Sequence, residues 1–210
     1  MTMNTELSTG IILEKMEQNT DRLLSLREVC SLAPVLDETA VREALEGLVS
    51  SGRIHYPATD LYWCGTMTRL GPVPAQTYVV VMRVYEGVKG VGYAGLDAIN
   101  RMHLSTQVTA REMYAVPFLV EGINAGALEL VDRSDRPARR ELGFFEVTLL
   151  EALGERYEWE VRTGPGLARL VQVVGRSGVS LDAASLLRGA GDESEEVKEL
   201  LGELLRMVAV

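Results

Sequence analysis

The stretch from Ser25 to Trp63 holds two helix starts, a helix stop and a turn, in an order that few folds accept. Ser25 followed by Glu28 is a capping-box pattern, in which each side chain satisfies the other residue's orphan backbone N–H. It predicts a short helix through Val29 and Cys30 that stops before Pro34, because the residue preceding a proline disfavours helical backbone. Asp37 is the next N-cap, and behind it Val41, Leu45, Leu48 and Val49 recur on one helical face until Gly52 ends the helix. Strand patterns follow at Arg53–Tyr56 and Leu61–Trp63, separated by the turn-rich Pro57-Ala58-Thr59-Asp60. Upstream, Leu7, Ile11, Ile12 and Met16 give Leu7–Gln18 the spacing of an amphipathic helix. Helix, helix, turn, helix and hairpin in this order predict a winged helix-turn-helix, a module that binds duplex DNA or another protein.

Beyond it, Met67–Ala75, with Gly71, Pro72 and Pro74, reads as a linker. Ala75–Glu86 fits a helix with Tyr78, Val81, Met82 and Tyr85 on one face, although Val79-Val80-Val81 also suits a strand. A helix is expected over Tyr93–His103, then strands at Arg111–Val120 and Ala125–Val131 joined by Glu121-Gly122-Ile123-Asn124. Glu141–Trp159 carries Phe145, Leu149, Leu150, Leu153 and Tyr157 on one helical face. Short helices follow at Leu167–Val174 and Leu181–Leu187, and a last one starts at an Asp192/Glu195 capping pair and buries Val197, Leu200, Leu201, Leu204 and Val208. The expected architecture is α+β: a winged helix-turn-helix over 1–70, a mixed α/β domain over 71–160, and a helical C-terminal segment over 161–210 packing on it.

Charge narrows the function. The 210 residues carry a formal net charge of −9, whereas a protein that lives by gripping phosphates is ordinarily basic. The balance favours a protein partner, with any DNA contact confined to a local patch. Excess acid gathers at the C-terminus in Asp192, Glu193, Glu195, Glu196, Glu199 and Glu203, against Lys198 and Arg206. No apolar run reaches the roughly 20 residues of a membrane span, and the polar Met1–Thr9 lacks the pattern of an export signal. A cytoplasmic protein without membrane contact is expected, with Cys30 and Cys64 as small buried hydrophobes rather than a disulfide.

Two groups of residues are candidates for recognition. On the predicted third helix and wing, Thr39, Arg42, Arg53 and His55 are positioned for DNA, although Glu38, Glu43 and Glu46 share that helix and repel phosphate. The same side chains are equally compatible with a solvated, protein-binding module. Arg133, Arg136, Arg139 and Arg140 form the one basic cluster, on a predicted loop; they read as a docking patch for an acidic partner or as solvated pairs with Asp132, Asp135 and Glu141. Chemistry has little to stand on. His55 and His103 fall in different predicted domains, neither beside a nucleophile motif, and no ligand spacing suggests a metal or cofactor. The glycines at 87, 90, 92 and 95 lack the Gly-Lys-Ser/Thr ending of a phosphate loop and more simply let two helices turn closely.

Several short motifs taken together resemble the AbiEi-type antitoxins and transcriptional regulators of type IV toxin–antitoxin (abortive infection) systems. The turn into the wing, Leu48-Val49-Ser50-Ser51-Gly52-Arg53-Ile54, is similar to that family's Leu-x-x-x-Gly-x-Ile, and Leu61-Tyr62-Trp63 to its wing ending. Tyr93-Ala94-Gly95-Leu96-Asp97-Ala98, then Leu104-Ser105-Thr106-Gln107-Val108 and Met113-Tyr114-Ala115-Val116-Pro117, resemble its small-residue helix, linking segment and strand. The strand pair and the Phe144–Tyr157 helix complete a likeness running from about Ser25 to Trp159. The chain departs from the pattern at Asp60, where a glycine is more usual, and in its acidic recognition helix; beyond Val161 no motif matches. The resemblance implies a non-enzymatic antitoxin with no cofactor. Its winged helix would bind operator DNA to repress its own operon, and its second domain would counter a cognate AbiEii-type nucleotidyltransferase toxin. The alternative is a winged-helix adaptor in a multi-subunit assembly without DNA binding.

Overall fold

A computed structural model describes residues 2–160 and 164–208, so the expected start of the helical segment at 161 lies outside the described residues. The chain is a mixed α+β protein of two compact units. The first comprises 1–84 and 120–126, the second 85–119 and 127–210.

In the first unit, α1 (Thr2–Glu17) is followed by β1 (Leu23–Ser25), α2 (Leu26–Leu32) and α3 (Glu38–Ser50). Ser25 caps α2 as the sequence predicts: its N–H donates to Glu28 Oε2 at 2.7 Å and its Oγ accepts from Glu28 N at 3.3 Å. Asp37 Oδ1 likewise accepts from Ala40 N at 2.8 Å to start α3. The apolar face of α3, with Val41, Ala44, Leu45 and Leu48, is buried against Ile12 and Met16 of α1, Val29 of α2, and Ile54 and Tyr62. β2 (His55–Ala58) and β3 (Leu61–Trp63) complete an antiparallel sheet of order β1-β3-β2, with Leu23 opposite Trp63 and Ala58 opposite Leu61.

This hairpin corrects the expected strand Arg53–Tyr56 and its four-residue turn. The strand is displaced to His55–Ala58 and the turn shrinks to Thr59 and Asp60. Pro57 reads as a turn residue, yet β2 is an edge strand with a register shift between His55 and Ala58, where a missing N–H is tolerated. Met67–Ala75 is more than a linker. It contains a second hairpin of β4 (Met67–Thr68) and β5 (Gly71–Pro72), closed by Thr68 Oγ1 donating to the Gly71 carbonyl at 2.7 Å. α4 (Thr77–Val84) takes the helical option, and its Val80 packs with Leu23, Ala58 and Leu61. The returning segment 120–126 lies beside β2: Ile123 bridges Ala58, and the Asn124 N–H donates to the Pro57 carbonyl at 2.7 Å.

The second unit is built on α6 (Phe144–Gly154), buried almost all round through Val147, Leu149, Leu150, Ala152 and Leu153. Its sheet has the order β6-β7-β8, from Gly92–Tyr93, Glu112–Val116 and Leu128–Asp132. β7 and β8 pair in parallel, Glu112 opposite Leu128 and Val116 opposite Asp132, and the connection between them contains the 120–126 segment of the first unit. The helix expected over Tyr93–His103 starts later, as α5 (Gly95–Arg101), because Gly92 and Tyr93 form β6. Gly92 lies so close to α6 that an added Cβ would stand 2.7 Å from Thr148 N; the neighbouring Tyr93 N–H donates to Thr148 Oγ1 at 2.9 Å. α6 is likewise shorter than the expected Glu141–Trp159 helix. Pro137–Glu141 winds into a 3-10 turn, and the Gly143 N–H donates to Glu146 Oε2 at 2.7 Å where the helix begins. Three further helices follow: α7 (Gly164–Ser177), α8 (Ala183–Gly189) and α9 (Glu195–Val208). α9 buries Val197, Leu200, Leu201 and Leu204 as expected, but Val208 is only half-buried, and Ser194, rather than the Asp192/Glu195 pair, offers its Oγ to Val197 N at 3.3 Å. Among the described residues no helix is long and apolar enough to cross a membrane.

Candidate nucleic-acid interface

The exposed face of α3 and the β2–β3 hairpin carry the side chains singled out for DNA. Thr39 and Arg42, three residues apart, share one exposed face near the start of α3. Arg42 reaches across to the hairpin turn, with Nη2 3.0 Å from Glu38 Oε1 and Nη1 3.5 Å from Asp60 Oδ1. Asp60 itself sits at φ +54°, a left-handed conformation that glycine adopts freely and aspartate better than most. That conformation explains why a glycine would serve at this turn.

Arg53 and His55 are not brought to the same place. α3 is 13 residues long, and at about 1.5 Å per residue it spans roughly 20 Å. Arg53 lies past its far end, with Nη2 3.4 Å from Glu17 Oε1. His55 is half-buried, and its Nε2 lies 2.8 Å from the Pro72 carbonyl, which ties the first hairpin to the second. Trp63 Nε1 donates to the Val73 carbonyl at 2.8 Å and reinforces the same junction. His55 therefore serves the fold, while Thr39, Arg42 and Arg53 face solvent.

Both arginines rest on exposed carboxylates. Such pairs contribute only about 0–1 kcal/mol each, so a phosphate can replace the carboxylate at small cost. The carboxylates nevertheless stay nearby, as do Glu43 and Glu46 on the exposed side of α3, and they weaken the local field. The second hairpin is a surface feature that the sequence pattern does not announce. Its tip presents Arg69 beside a fully exposed Leu70, next to exposed Met67. Gly71 and Pro72, which close this hairpin, are also the residues that make the segment look like a linker.

The fold makes something else of the basic cluster. Arg133 grips Glu151 of α6 with two bonds, Nε to Oε1 at 2.7 Å and Nη2 to Oε2 at 2.9 Å. Arg136 Nη1 donates to Glu193 Oε2 at 2.7 Å, Arg139 Nε to Glu193 Oε1 at 2.5 Å, and Arg139 Nη1 to Glu151 Oε1. Of the expected docking patch, Arg139 is only 2% exposed and cannot meet a partner, Arg133 and Arg136 are partly exposed with their guanidiniums engaged by the same two glutamates, and Arg140 is exposed. The acidic partner of the other three is internal. Burial raises the Glu151 carboxyl, but Arg133 and Arg139 outweigh it and hold the group below the ordinary carboxylate range. Among the described residues no cluster of His, Cys, Asp or Glu could hold a metal ion, and Cys30 and Cys64 are free thiols.

No family model matches the chain, and no curated protein matches it. Among solved structures it is similar to the crystal structure of the Rv2827c protein from Mycobacterium tuberculosis, with a TM-score of 0.56 at 13% sequence identity. The likeness covers 95% of this chain and 76% of that one, and at this identity it speaks to fold alone.

Proposed function

We propose that the first unit is a winged helix-turn-helix that reads duplex DNA, and that the chain is an AbiEi-like antitoxin which represses its own operon and neutralises a nucleotidyltransferase-like toxin. The observation that carries the DNA reading is the joining of α3 to the hairpin turn through Arg42, an arrangement in which α3 would serve as recognition helix and the β2–β3 hairpin as wing. The order α1, β1, α2, α3, β2, β3 and the sheet order β1-β3-β2 support this reading. The antitoxin reading rests on the family resemblance carried by the wing turn and the Leu104–Val108 segment. In this role Thr39 and Arg42 reach base edges or phosphates, Arg53 touches the backbone, and no residue acts as a catalyst.

The adaptor reading keeps the same module without DNA. It is favoured by the carboxylates of Glu38, Asp60 and Glu17 on the two arginines that DNA would need. A fluorescence-anisotropy titration on the DNA upstream of the gene separates the two. The regulator gives binding that weakens steeply with salt and prefers that sequence over scrambled duplex; an adaptor gives neither.

A further inference from the structure

The second unit contains a groove of about 730 Å³ that the DNA reading does not use. It is lined by Arg101 at the end of α5, His103, Ser105 and Thr106 beyond it, Phe145 of α6, and one side of α7. On α7 the lining residues are Arg169, Gln172, Val173 and Arg176, spaced so that they share a helical face, while Leu167, Leu170 and Val174 are buried on the other. Three guanidiniums and an imidazole thus line one cavity, in a chain of net charge −9, and the carboxylates beside it, Glu112 and Glu160, stand against its lining residues Arg101, Ser105 and Thr106.

The groove is built to receive negative charge. Arg101 is held in place, its guanidinium 4.5 Å from the centre of the Tyr93 ring and 3.9 Å from Glu112. Arg169 Nη1 donates to the His103 carbonyl at 3.1 Å, which holds that side chain against another lining residue. Arg176 has no hydrogen bond or ion pair among the described residues. Beside these cations the Ser105 hydroxyl, the Thr106 hydroxyl and the Thr106 N–H converge on one carboxylate, Glu160, at 3.0–3.1 Å. Those donors already hold an oxyanion that belongs to the chain itself.

Size and shape select the ligand. Arg169 and Arg176 are separated along α7 by two turns, about 10 Å, which suits a chain of phosphates rather than one. Phe145 and Val173 add an apolar wall, and Gln172 a donor and an acceptor, for a planar base. The volume falls within the roughly 300–1,000 Å³ of small-ligand sites. We propose that this groove binds a nucleoside polyphosphate, with its phosphates on Arg101, Arg169 and Arg176 and its base against Phe145. Glu160 is an internal competitor for the Ser105 and Thr106 donors.

The test is calorimetric titration of the full chain with ATP and GTP, with inorganic phosphate and a short single-stranded oligonucleotide as comparisons. Saturable binding of a nucleoside triphosphate, tighter than that of phosphate, is expected. Arg176→Glu, which breaks no hydrogen bond or ion pair among the described residues, should weaken it about tenfold or more, whereas Glu160→Gln should strengthen it severalfold. Arg188→Glu on α8, outside the groove, should leave it unchanged. Absence of triphosphate binding, equal binding of inorganic phosphate, a preference for the oligonucleotide, or indifference to Arg176→Glu in a protein with unaltered circular dichroism would each overturn the proposal. This outcome is independent of whether the first unit binds DNA.

Discussion

Arg139 and Glu193 lie 54 residues apart in sequence and meet at 2.5 Å, with both side chains only 2% exposed. The contact joins the 3-10 turn before α6 to the residue pair that leads into α9, and Ala138 N reinforces it by donating to Asp192 Oδ2 at 2.9 Å. The C-terminal helices are therefore held by polar as well as apolar contacts. Arg139→Ala should destabilise the chain by about 2–3 kcal/mol, somewhat below the roughly 3–5 kcal/mol of a fully orphaned buried charge, because Arg133 and Arg136 still cover the two glutamates. Arg140→Ala, at an exposed neighbour, should change stability by less than about 0.5 kcal/mol. Urea unfolding followed by circular dichroism measures both, and equal midpoints for the two variants would show that the pair carries no weight.

Acid should weaken the fold through Glu151 and Glu28. Burial raises the Glu28 carboxyl, but the Ser25 N–H and hydroxyl and the Arg83 guanidinium, 2.5 Å away, outweigh it and lower the group. Each carboxyl is thus more acidic folded than unfolded. Its stabilisation is complete above roughly pH 4.3, the ordinary glutamate value, and is lost as pH falls through the lower folded value. Glu28→Gln should make the stability-against-pH curve shallower on its acid limb, as read from urea midpoints between neutral pH and about pH 3. An acid limb of unchanged steepness would remove Glu28 from the explanation.

Gly92→Ala should disturb the second unit. The added methyl would stand 2.7 Å from Thr148 N and 2.8 Å from Val147 Cβ, and a strand against a buried helix has little freedom to retreat. A loss of about 1–3 kcal/mol is expected, measured as a lower urea midpoint; a midpoint equal to that of the parent would mean that β6 yields easily.

Asp60→Gly bears on recognition. It relieves a left-handed backbone at φ +54° and removes a carboxylate 3.5 Å from Arg42. DNA affinity should rise severalfold, whereas Arg42→Ala should lower it and reduce the salt slope by about one. Anisotropy titrations of both variants on the same duplex make the comparison, and an unchanged affinity in each would exclude Arg42 from the interface.

Local chemistry was what the sequence made legible. The Ser25–Glu28 box, the Asp37 cap and the apolar period of α3 all act within a few residues, and each stands where its pattern puts it. Interactions over distance were not legible. Pro57 is a turn residue by type, and only its place on an edge strand makes it tolerable in β2. Nothing near Arg139 announces Glu193, so a buried ion-pair network reads as a surface patch. The parallel pairing of β7 with β8 is equally hidden, since two strands joined by a Gly-containing tetrapeptide suggest a hairpin. The tie of His55 to the Pro72 carbonyl is hidden for the same reason, since that carbonyl lies in a segment that reads as a linker.

The antitoxin proposal meets its plainest trial in growth of a host that expresses the reading frame adjacent to this chain's gene, with and without the chain. The neighbour alone should arrest growth, and co-expression of the intact chain should restore it. A harmless neighbour, or an arrest that the chain does not relieve, would contradict the proposal.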